Sequence, residues 1–308
     1  MNCSSPPERM STTHSTTSRP AGSHPQAGRA ELFATLHRPG DPLLLPNAWD
    51  VGSAVAIVRA GAKAVATTSA GVAWSLGVPD AADLGPDRAA AAIERIVAAV
   101  RVPVSADIEA GYGPGPDAVA ATVTAVVEAG AVGVNLEDRT GRPDSPLFQP
   151  TEQAERLAAA RSAASRRGIP LWINARTDIL LAGVGPAERR LDAALVRAER
   201  YAAAGADSLF VPGLIDTTAL AELAAGPLPV AVMAWAGAPR VADLAAAGVA
   251  RISLGSAIAQ AAYAVAARAA TELLATGTYE STADTIAYDT MNTAIRGAAD
   301  PGILSGRR

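Results

Sequence analysis

The sequence predicts an α/β fold, a (β/α)8 barrel of the TIM type. Short apolar runs alternate along the chain with alanine-rich segments in which apolar residues recur at helical spacing. Glycine follows several of these segments, as at Gly61, Gly130, Gly205 and Gly248, which suits the left-handed residue that ends many helices. Eight strand–helix units in a chain of 308 residues are typical of a closed barrel.

The predicted elements follow one another in regular alternation. The strands are expected at residues 43–45, 64–68, 102–106, 132–136, 171–175, 208–211, 230–233 and 251–254. The helices between them include residues 88–100, 118–129, 152–167 and 188–204. An open doubly wound sheet is the alternative. It would need a glycine-rich turn after the first strand, where residues 46–50 read Pro-Asn-Ala-Trp-Asp.

Composition divides the chain into three parts. Residues 1–28 are a leader rich in Ser, Thr and Pro without the apolar segment of a signal peptide, so we expect disorder there and a cytoplasmic protein. Residues 29–277 are expected to form the catalytic barrel, and residues 278–308 a C-terminal helical extension or tail. The net charge of −4, without a basic stripe, argues against a nucleic-acid partner. No apolar run approaches the roughly 20 residues of a membrane span.

Scarce residue types exclude several kinds of chemistry. The only cysteine is Cys3, and all three histidines precede the first predicted strand, so a cysteine nucleophile and histidine base catalysis are not expected. The only lysine, Lys63, precedes the second strand and lies at the end of the barrel away from the active site, which excludes a Schiff-base aldolase.

Polar residues gather where the predicted strands end, at the barrel face that carries active sites. Asp107 and Glu109 follow the third strand two residues apart, so they point the same way. Glu137 follows the fourth strand and Arg176 the fifth. Because converging carboxylates repel one another, a hard divalent cation such as Mg²⁺ would stabilise them. The alternative is that the acids cap a turn and face water.

At these residues the chain resembles the isocitrate lyase / phosphoenolpyruvate mutase family, over about residues 44–275. The similar motifs are Thr68-Ser69-Ala70, Leu76-Gly77-Val78-Pro79-Asp80, the run from Asp107 to Gly113, Asn135-Leu136-Glu137-Asp138, the run from Asn174 to Asp178, and the run from Glu199 to Asp207. The resemblance implies an enzyme that requires Mg²⁺ (or Mn²⁺). Such an enzyme cleaves or forms a C–C or P–C bond beside a 2-oxo acid through an enolate, on a small-molecule carboxylate or phosphonate.

The resemblance also implies roles for individual residues. Asp107 resembles the direct metal ligand, and Glu109 and Glu137 resemble acids that reach the metal largely through water. Asp80 resembles the family's loop aspartate, and Arg176 resembles the arginine that holds substrate. The implied catalytic group is Arg176, Asp80 and Glu137, and the implied substrate-binding group is Trp49, Thr68, Ser69, Ala70, Asn174 and Arg176. As alternatives, Arg176 forms a salt bridge to Glu137, Asp80 caps a loop and Trp49 packs in the core.

The loop after Asp138 departs from the family's lyases. Isocitrate and methylisocitrate lyases carry a Lys-(Lys/Arg)-Cys-Gly-His segment there, whereas residues 139–145 contain no Cys, Lys or His. A family histidine after the sixth strand is replaced by Pro212. We therefore expect no cleavage of isocitrate or methylisocitrate. We expect action on a smaller 2-oxo acid or phosphonate, of the carboxyvinyl-carboxyphosphonate phosphorylmutase kind.

Two other functions are compatible with the barrel. Leu254-Gly255-Ser256 opens the last helix at a place where many barrels bind phosphate, so a phosphosugar or flavin enzyme is one alternative. A non-catalytic scaffold that keeps the fold is the other. Neither alternative needs the acids that follow strands three to five.

The last predicted helix bears on assembly. Residues 256–276 are apolar nearly all round, so we expect burial on more than one side. Relatives of the family exchange this helix between two subunits, which implies a homodimer or homotetramer with a swapped C-terminal helix. Residues 139–149, rich in Gly, Pro and charge, are expected to be mobile without ligand and to close over the metal.

Overall fold

A computed structural model describes residues 25–82, 84–113 and 115–299 of the chain. Within these residues nine strands form one parallel sheet, and each pairs with its neighbour in the order β1-β9-β8-β7-β6-β5-β4-β3-β2. The strands are β1 (Leu43–Leu45), β2 (Asn47–Ala48), β3 (Val65–Thr67), β4 (Val104–Asp107), β5 (Gly133–Glu137), β6 (Trp172–Arg176), β7 (Ser208–Phe210), β8 (Val230–Met233) and β9 (Val249–Ser253).

The predicted first strand, residues 43–45, is β1, and it is followed across a proline by the short strand β2, which was not predicted; the two together close the barrel. Pro46 separates β1 from β2, and proline has no N–H with which to continue a strand ladder. β1 pairs with β9, and β2 pairs with β3. The two ends of the strand order are therefore joined by a single residue, and the predicted (β/α)8 TIM-type barrel is confirmed.

The helices surround the strands, and their ends follow the signals in the sequence. Gly61, Gly130, Gly205 and Gly248 all adopt left-handed backbone, with φ between 81° and 101°. None of the helices in the described part of the chain is long and apolar enough to cross a membrane. The helices are α1 (Pro25–Thr35), α2 (Val51–Arg59), α3 (Ser69–Ser75), α4 (Pro86–Ala99), α5 (Pro116–Glu128), α6 (Pro150–Arg166), α7 (Arg190–Ala203), α8 (Thr217–Ala224), α9 (Val241–Ala246), α10 (Ala257–Thr276) and α11 (Tyr288–Ala299).

Helix α1 closes the end of the barrel where the strands begin. Phe33 is fully buried, and the ring of His37 stacks on Trp172, the first residue of β6, at 4.1 Å between ring centroids. The Gln26 amide donates to the carbonyls of Val127 and Ala131 at 2.7 and 2.9 Å. The predicted leader, residues 1–28, therefore ends too late, because residues 25–28 belong to α1. Residues 1–24 lie outside the described part.

Helix α10 differs from the expectation of burial within one chain. Of its 20 residues only Ala259 is buried, whereas Val265 and Leu273 are exposed. On β1, Leu44 points away from the barrel interior and remains half exposed. The predicted tail contains α11, which packs against α2 and α4, and its last residues, 300–308, lie outside the described part.

Candidate active site

The strand register brings the predicted site residues to one rim of the barrel. Asp107, the last residue of β4, lies beside Asn135 of β5. Glu137 and Arg176, the last residues of β5 and β6, lie directly opposite each other. The carboxyl ends of three successive parallel strands therefore present two acids and one guanidinium to the same opening.

Asp107 is held at two points, and one of its oxygens stays free. Its backbone N–H donates to the Thr67 hydroxyl at 2.8 Å, and its Oδ2 accepts a hydrogen bond from the Ser69 amide at 3.2 Å. Its Oδ1 is buried and, within the described residues, has no hydrogen-bond partner. An unpaired buried carboxylate oxygen is costly, because it has lost its water. This atom is therefore the strongest candidate for a direct metal ligand.

The metal set predicted from the sequence is not a closed cage of side chains. In the described residues, no group of three or more Asp, Glu, His or Cys side chains is arranged around a common point where an ion would sit. The site does fit a cation that takes one direct oxygen, from Asp107, because Mg²⁺ commonly keeps several waters and uses only one or two protein carboxylates. Glu109 and Glu137 would then act through those waters.

Arg176 is bound on two sides by carboxylates. Its Nε and Nη2 donate to the two oxygens of Asp178 at 2.6 and 2.9 Å, and its Nη1 lies 3.0 Å from Glu137 Oε2. Asp178 is fully buried. The alternative of a salt bridge between Arg176 and Glu137 is thus present, alongside any role towards substrate.

The electrostatics of Glu137 follow from burial more than from its ion pair. Loss of solvent raises the pKa of its carboxyl, and the Asp178, Asp107 and Glu109 carboxylates raise it further, against the opposing effect of Arg176. The opening therefore holds an excess of carboxyl groups, since those of Asp107, Glu109, Glu137 and Asp178 surround the guanidinium of Arg176. A bound divalent cation would relieve this excess.

The turn after β4 is strained and places a tyrosine beside the acids. Glu109 and Tyr112 both adopt left-handed backbone, with φ of 49° and 48°, a conformation that costs energy outside glycine. The Glu109 carbonyl accepts a hydrogen bond from the Glu137 amide at 2.9 Å, which ties this turn to β5. Burial and then the Glu109 carboxylate raise the pKa of the Tyr112 hydroxyl, so it keeps its proton.

The loop after α3 brings Asp80 within electrostatic reach of the opening. Partial desolvation and the Asp107 carboxylate raise the pKa of Asp80, while Arg176 and Arg139 lower it. Asp80 is exposed to solvent on this loop. Its place among the waters and ligands of the site stays a prediction.

Four of the predicted substrate-binding residues directly follow the ends of β2 and β3: Trp49, Thr68, Ser69 and Ala70. Ser69 and Ala70 begin α3 beside Asp107, although the Ser69 amide is already donated to that carboxylate. Trp49 is half-buried, and its ring lies 6.4 Å from that of Tyr263 on α10. Thr68 is buried, and its amide donates to the Ala48 carbonyl.

Asn174 does not reach the opening, which corrects its predicted role. It is fully buried, its Nδ2 donates to Asn135 Oδ1 at 2.8 Å, and its Oδ1 accepts from the Ser208 hydroxyl at 2.6 Å. Asn135 Oδ1 also accepts from Arg251 Nη2 at 3.0 Å. Asn174 therefore supports the barrel interior beneath the site, because both ends of its amide are already bound.

The loop after β5 is a small hairpin with a fixed base. Arg139 pairs with Leu147 in an antiparallel bridge, and the Phe148 amide donates to the Asp138 carbonyl at 2.8 Å. The Asp138 carboxylate is buried and accepts hydrogen bonds from Arg197 Nη1 at 2.9 Å and the Tyr201 hydroxyl at 2.8 Å. The base of the loop is therefore held by contacts with the barrel, and its predicted closure over the metal stays a prediction.

Sequence reasoning did not assign Asp178 and Arg139 to the site. Arg139 Nη1 lies 3.8 Å from Asp178 Oδ2, so the two arginines share one carboxylate. The signal for Asp178 was present, since it follows Arg176 by two residues and so continues the same face. For Arg139 no local pattern was available, because the loop that contains it has no regular periodicity.

Comparisons with known proteins support the interpretation of the fold. Residues 33–274 match the phosphoenolpyruvate phosphomutase family. An uncharacterized protein of Mycobacterium tuberculosis (strain H37Rv) is 39% identical over 230 residues, which cover 73% of this chain and 81% of that protein. The crystal structure of a candidate phosphonomutase from Burkholderia cenocepacia J2315 is 43% identical with a TM-score of 0.74, and the match covers 82% of this chain and 100% of that one.

A characterised enzyme is also among the relatives. The 2-methylisocitrate lyase of Escherichia coli K12 is 30% identical over 217 residues, which cover 65% of this chain and 70% of that enzyme. The matched family region, residues 33–274, contains every residue discussed above as part of the opening.

Proposed function

This chain belongs to the phosphoenolpyruvate phosphomutase family, and from that premise we propose that it is a Mg²⁺- or Mn²⁺-dependent enzyme. It cleaves or forms a C–C or P–C bond beside a 2-oxo acid, through an enolate. The observation that carries the proposal is the buried, unpartnered Oδ1 of Asp107 at an opening that has an excess of carboxylates. A phosphosugar enzyme, a flavin enzyme or a scaffold would have no use for this arrangement.

Each residue at the opening has a definable task. Asp107 would hold the metal directly, with Glu109, Glu137 and Asp80 facing its waters. When bound, the metal supplies a positive charge that polarises the 2-oxo and carboxylate oxygens and stabilises an enolate. Arg176 balances the charge of Glu137 and Asp178, and the Tyr112 hydroxyl retains its proton beside Glu109.

The substrate is proposed to be a small 2-oxo acid or phosphonate, such as oxaloacetate or phosphonopyruvate. The loop after Asp138 lacks the cysteine and histidine of the isocitrate-type lyases. We therefore expect no useful cleavage of isocitrate or methylisocitrate, even though a methylisocitrate lyase is among the relatives. The loop's sequence supports this choice, because proton transfer by a thiol has no residue to perform it.

The active form is proposed to be a homodimer or a dimer of dimers with α10 exchanged between subunits. The exposed apolar residues of α10 support this, as does a cavity of about 570 Å³ beside β1. Its wall includes Leu44, Ile57 and Ile258. An apolar helix from a second copy would cover these side chains, and burial of their surface would favour assembly.

The metal is tested by titration of the full-length protein with Mg²⁺ in the presence of oxalate, an enolate mimic. We expect binding by the natural protein and loss of both binding and turnover in Asp107→Ala, because the direct ligand is gone. Asp117→Ala, which removes an exposed carboxylate at the start of α5, should bind normally.

Full activity of the natural protein in excess chelator, or normal Mg²⁺ binding by Asp107→Ala, would contradict the proposal. The first result would favour a phosphosugar or flavin enzyme. The second result would show that the metal binds elsewhere in the barrel, without Asp107.

A further inference from the structure

The guanidinium of Arg176 directs three of its five N–H groups to the protein's own carboxylates. A guanidinium binds a carboxylate or phosphonate most strongly through two parallel N–H groups, in a bidentate contact. In Arg176 the Nε–Nη2 edge is fully used by Asp178, and Nη1 is directed at Glu137. Only the remaining N–H groups on the two terminal nitrogens can face a ligand. In this structure Arg176 therefore contacts Asp178 and Glu137.

Arg139 lies at the same opening with its donors unused. Its side chain is half exposed, and among the described residues it makes no hydrogen bond. Its only ion pair there joins Nη1 to Asp178 Oδ2 at 3.8 Å, which is too long for a hydrogen bond. Asp178 already has two short bonds to Arg176, so the loss of Arg139 would leave this carboxylate paired. Arg139 can therefore turn to a ligand at small cost.

The position of Arg139 is fixed, although its head group is free. Its backbone pairs with Leu147 at the base of the hairpin, and the neighbouring Asp138 is anchored by Arg197 and Tyr201. Arg139 Nη1 lies 3.8 Å from the Asp178 carboxylate, which also binds Arg176, so the Arg139 head group lies beside Arg176 at the rim.

We propose that Arg139 binds the second anionic group of the substrate, a carboxylate or phosphonate on the carbon next to the 2-oxo group. This inference rests on the proposed function and names the part of the substrate that the metal does not hold. The metal would bind the 2-oxo acid end of the substrate, and the guanidinium of Arg139 would bind the anionic group at the other end. Substrates with an uncharged end would lose this contact, so Arg139 determines specificity.

The test compares ligands that differ in this second group. Isothermal titration of the full-length, Mg²⁺-loaded protein would use oxalate, which has nothing beyond the chelating pair, together with 3,3-difluorooxaloacetate and sulfopyruvate. In Arg139→Gln, binding of one or both longer ligands should weaken about 10- to 100-fold, the value of a charge-assisted contact. Oxalate binding should not change. A larger loss of affinity for 3,3-difluorooxaloacetate would identify the second group as a carboxylate. A larger loss for sulfopyruvate would identify it as a phosphonate-like group.

Two further variants make the result specific. Arg139→Lys keeps the charge without the fork, so intermediate affinity for the longer ligands is expected. Arg95→Gln removes an exposed arginine of α4, outside this loop, and should leave all three affinities unchanged.

Equal loss for oxalate and the longer ligands in Arg139→Gln, or no loss for any, would overturn the inference. So would an equal effect of Arg95→Gln. Failure of the natural protein to bind oxalate with Mg²⁺ would instead overturn the proposed function itself, and the two failures are thereby distinguishable.

Discussion

At the scale of the residue, buried charge decides how this opening is organised. Asp178 and Glu137 engage the guanidinium of Arg176 from two sides, and Asp107 keeps one oxygen without a partner. A buried ion pair contributes little net stability, because both groups lose their water. Its benefit here is geometric, since it fixes a charged side chain at the rim where a ligand would bind.

His37 provides a residue-level test away from the opening. Burial and then the charge of Arg251 lower the pKa of His37 to about 3, while its contact with the Phe33 carbonyl opposes the shift. The unfolded chain therefore binds a proton that the folded chain does not, between about pH 6.5 and pH 3. Stability should fall as the pH decreases through this window, by up to ~1.4 kcal/mol per pH unit.

In His37→Gln this part of the slope should disappear. Urea unfolding of both proteins at pH 7 and at pH 5 would measure it, in a range where most carboxylates remain ionised. Because the comparison uses the change with pH, a general loss of packing in the variant does not affect it. Equal slopes for the two proteins would show that His37 titrates normally.

At the scale of the element, α3 is the helix that joins the opening to α10. It begins at Ser69, whose amide binds Asp107, and two residues later Gly71 lies where three elements meet. A Cβ at Gly71 would lie 2.8 Å from both Thr68 Cγ2 and Trp49 Cβ, and 3.3 Å from Ala259 Cβ. Only hydrogen fits there, so the close approach of these elements depends on this glycine.

Gly71→Ala should destabilise the protein by about 1–3 kcal/mol, because the added methyl group overpacks a rigid contact. Gly28→Ala is the matched control, since it also adds a methyl group within a helix but has no neighbour within 4 Å. It should stabilise α1 by up to ~1 kcal/mol. Chemical denaturation of both variants would measure these changes. A Gly71→Ala protein as stable as the natural one would refute the packing argument.

At the scale of the whole molecule, the unusual feature is an apolar helix left on the outside. Exposed apolar patches of this kind mark interfaces, because water in contact with them is unfavourable. Leu44 on β1 and the apolar side chains of α10 are both uncovered in one chain. A second copy that contributes its own helix would cover both at once.

We expect the protein to sediment as a dimer or tetramer at micromolar concentration, and Val265→Glu on α10 to shift it towards monomer. The charge would have to be buried in the interface, which is strongly unfavourable without a partner. Val241→Glu alters a similarly exposed valine at the start of α9 and should leave assembly unchanged. A natural protein that sediments as a monomer would contradict the proposed exchange of helices.

The sequence by itself determined the barrel, its strand positions and the helix ends, because these depend on local periodicity and on glycines with left-handed backbone. It also determined that Asp107, Glu137 and Arg176 share one rim, since parallel strands end on the same side. Only the tertiary structure decided the rest. The burial of Asn174, the two-sided pairing of Arg176, the start of α1 at Pro25 and the position of Arg139 all depend on contacts between residues distant in the chain, which no local pattern encodes.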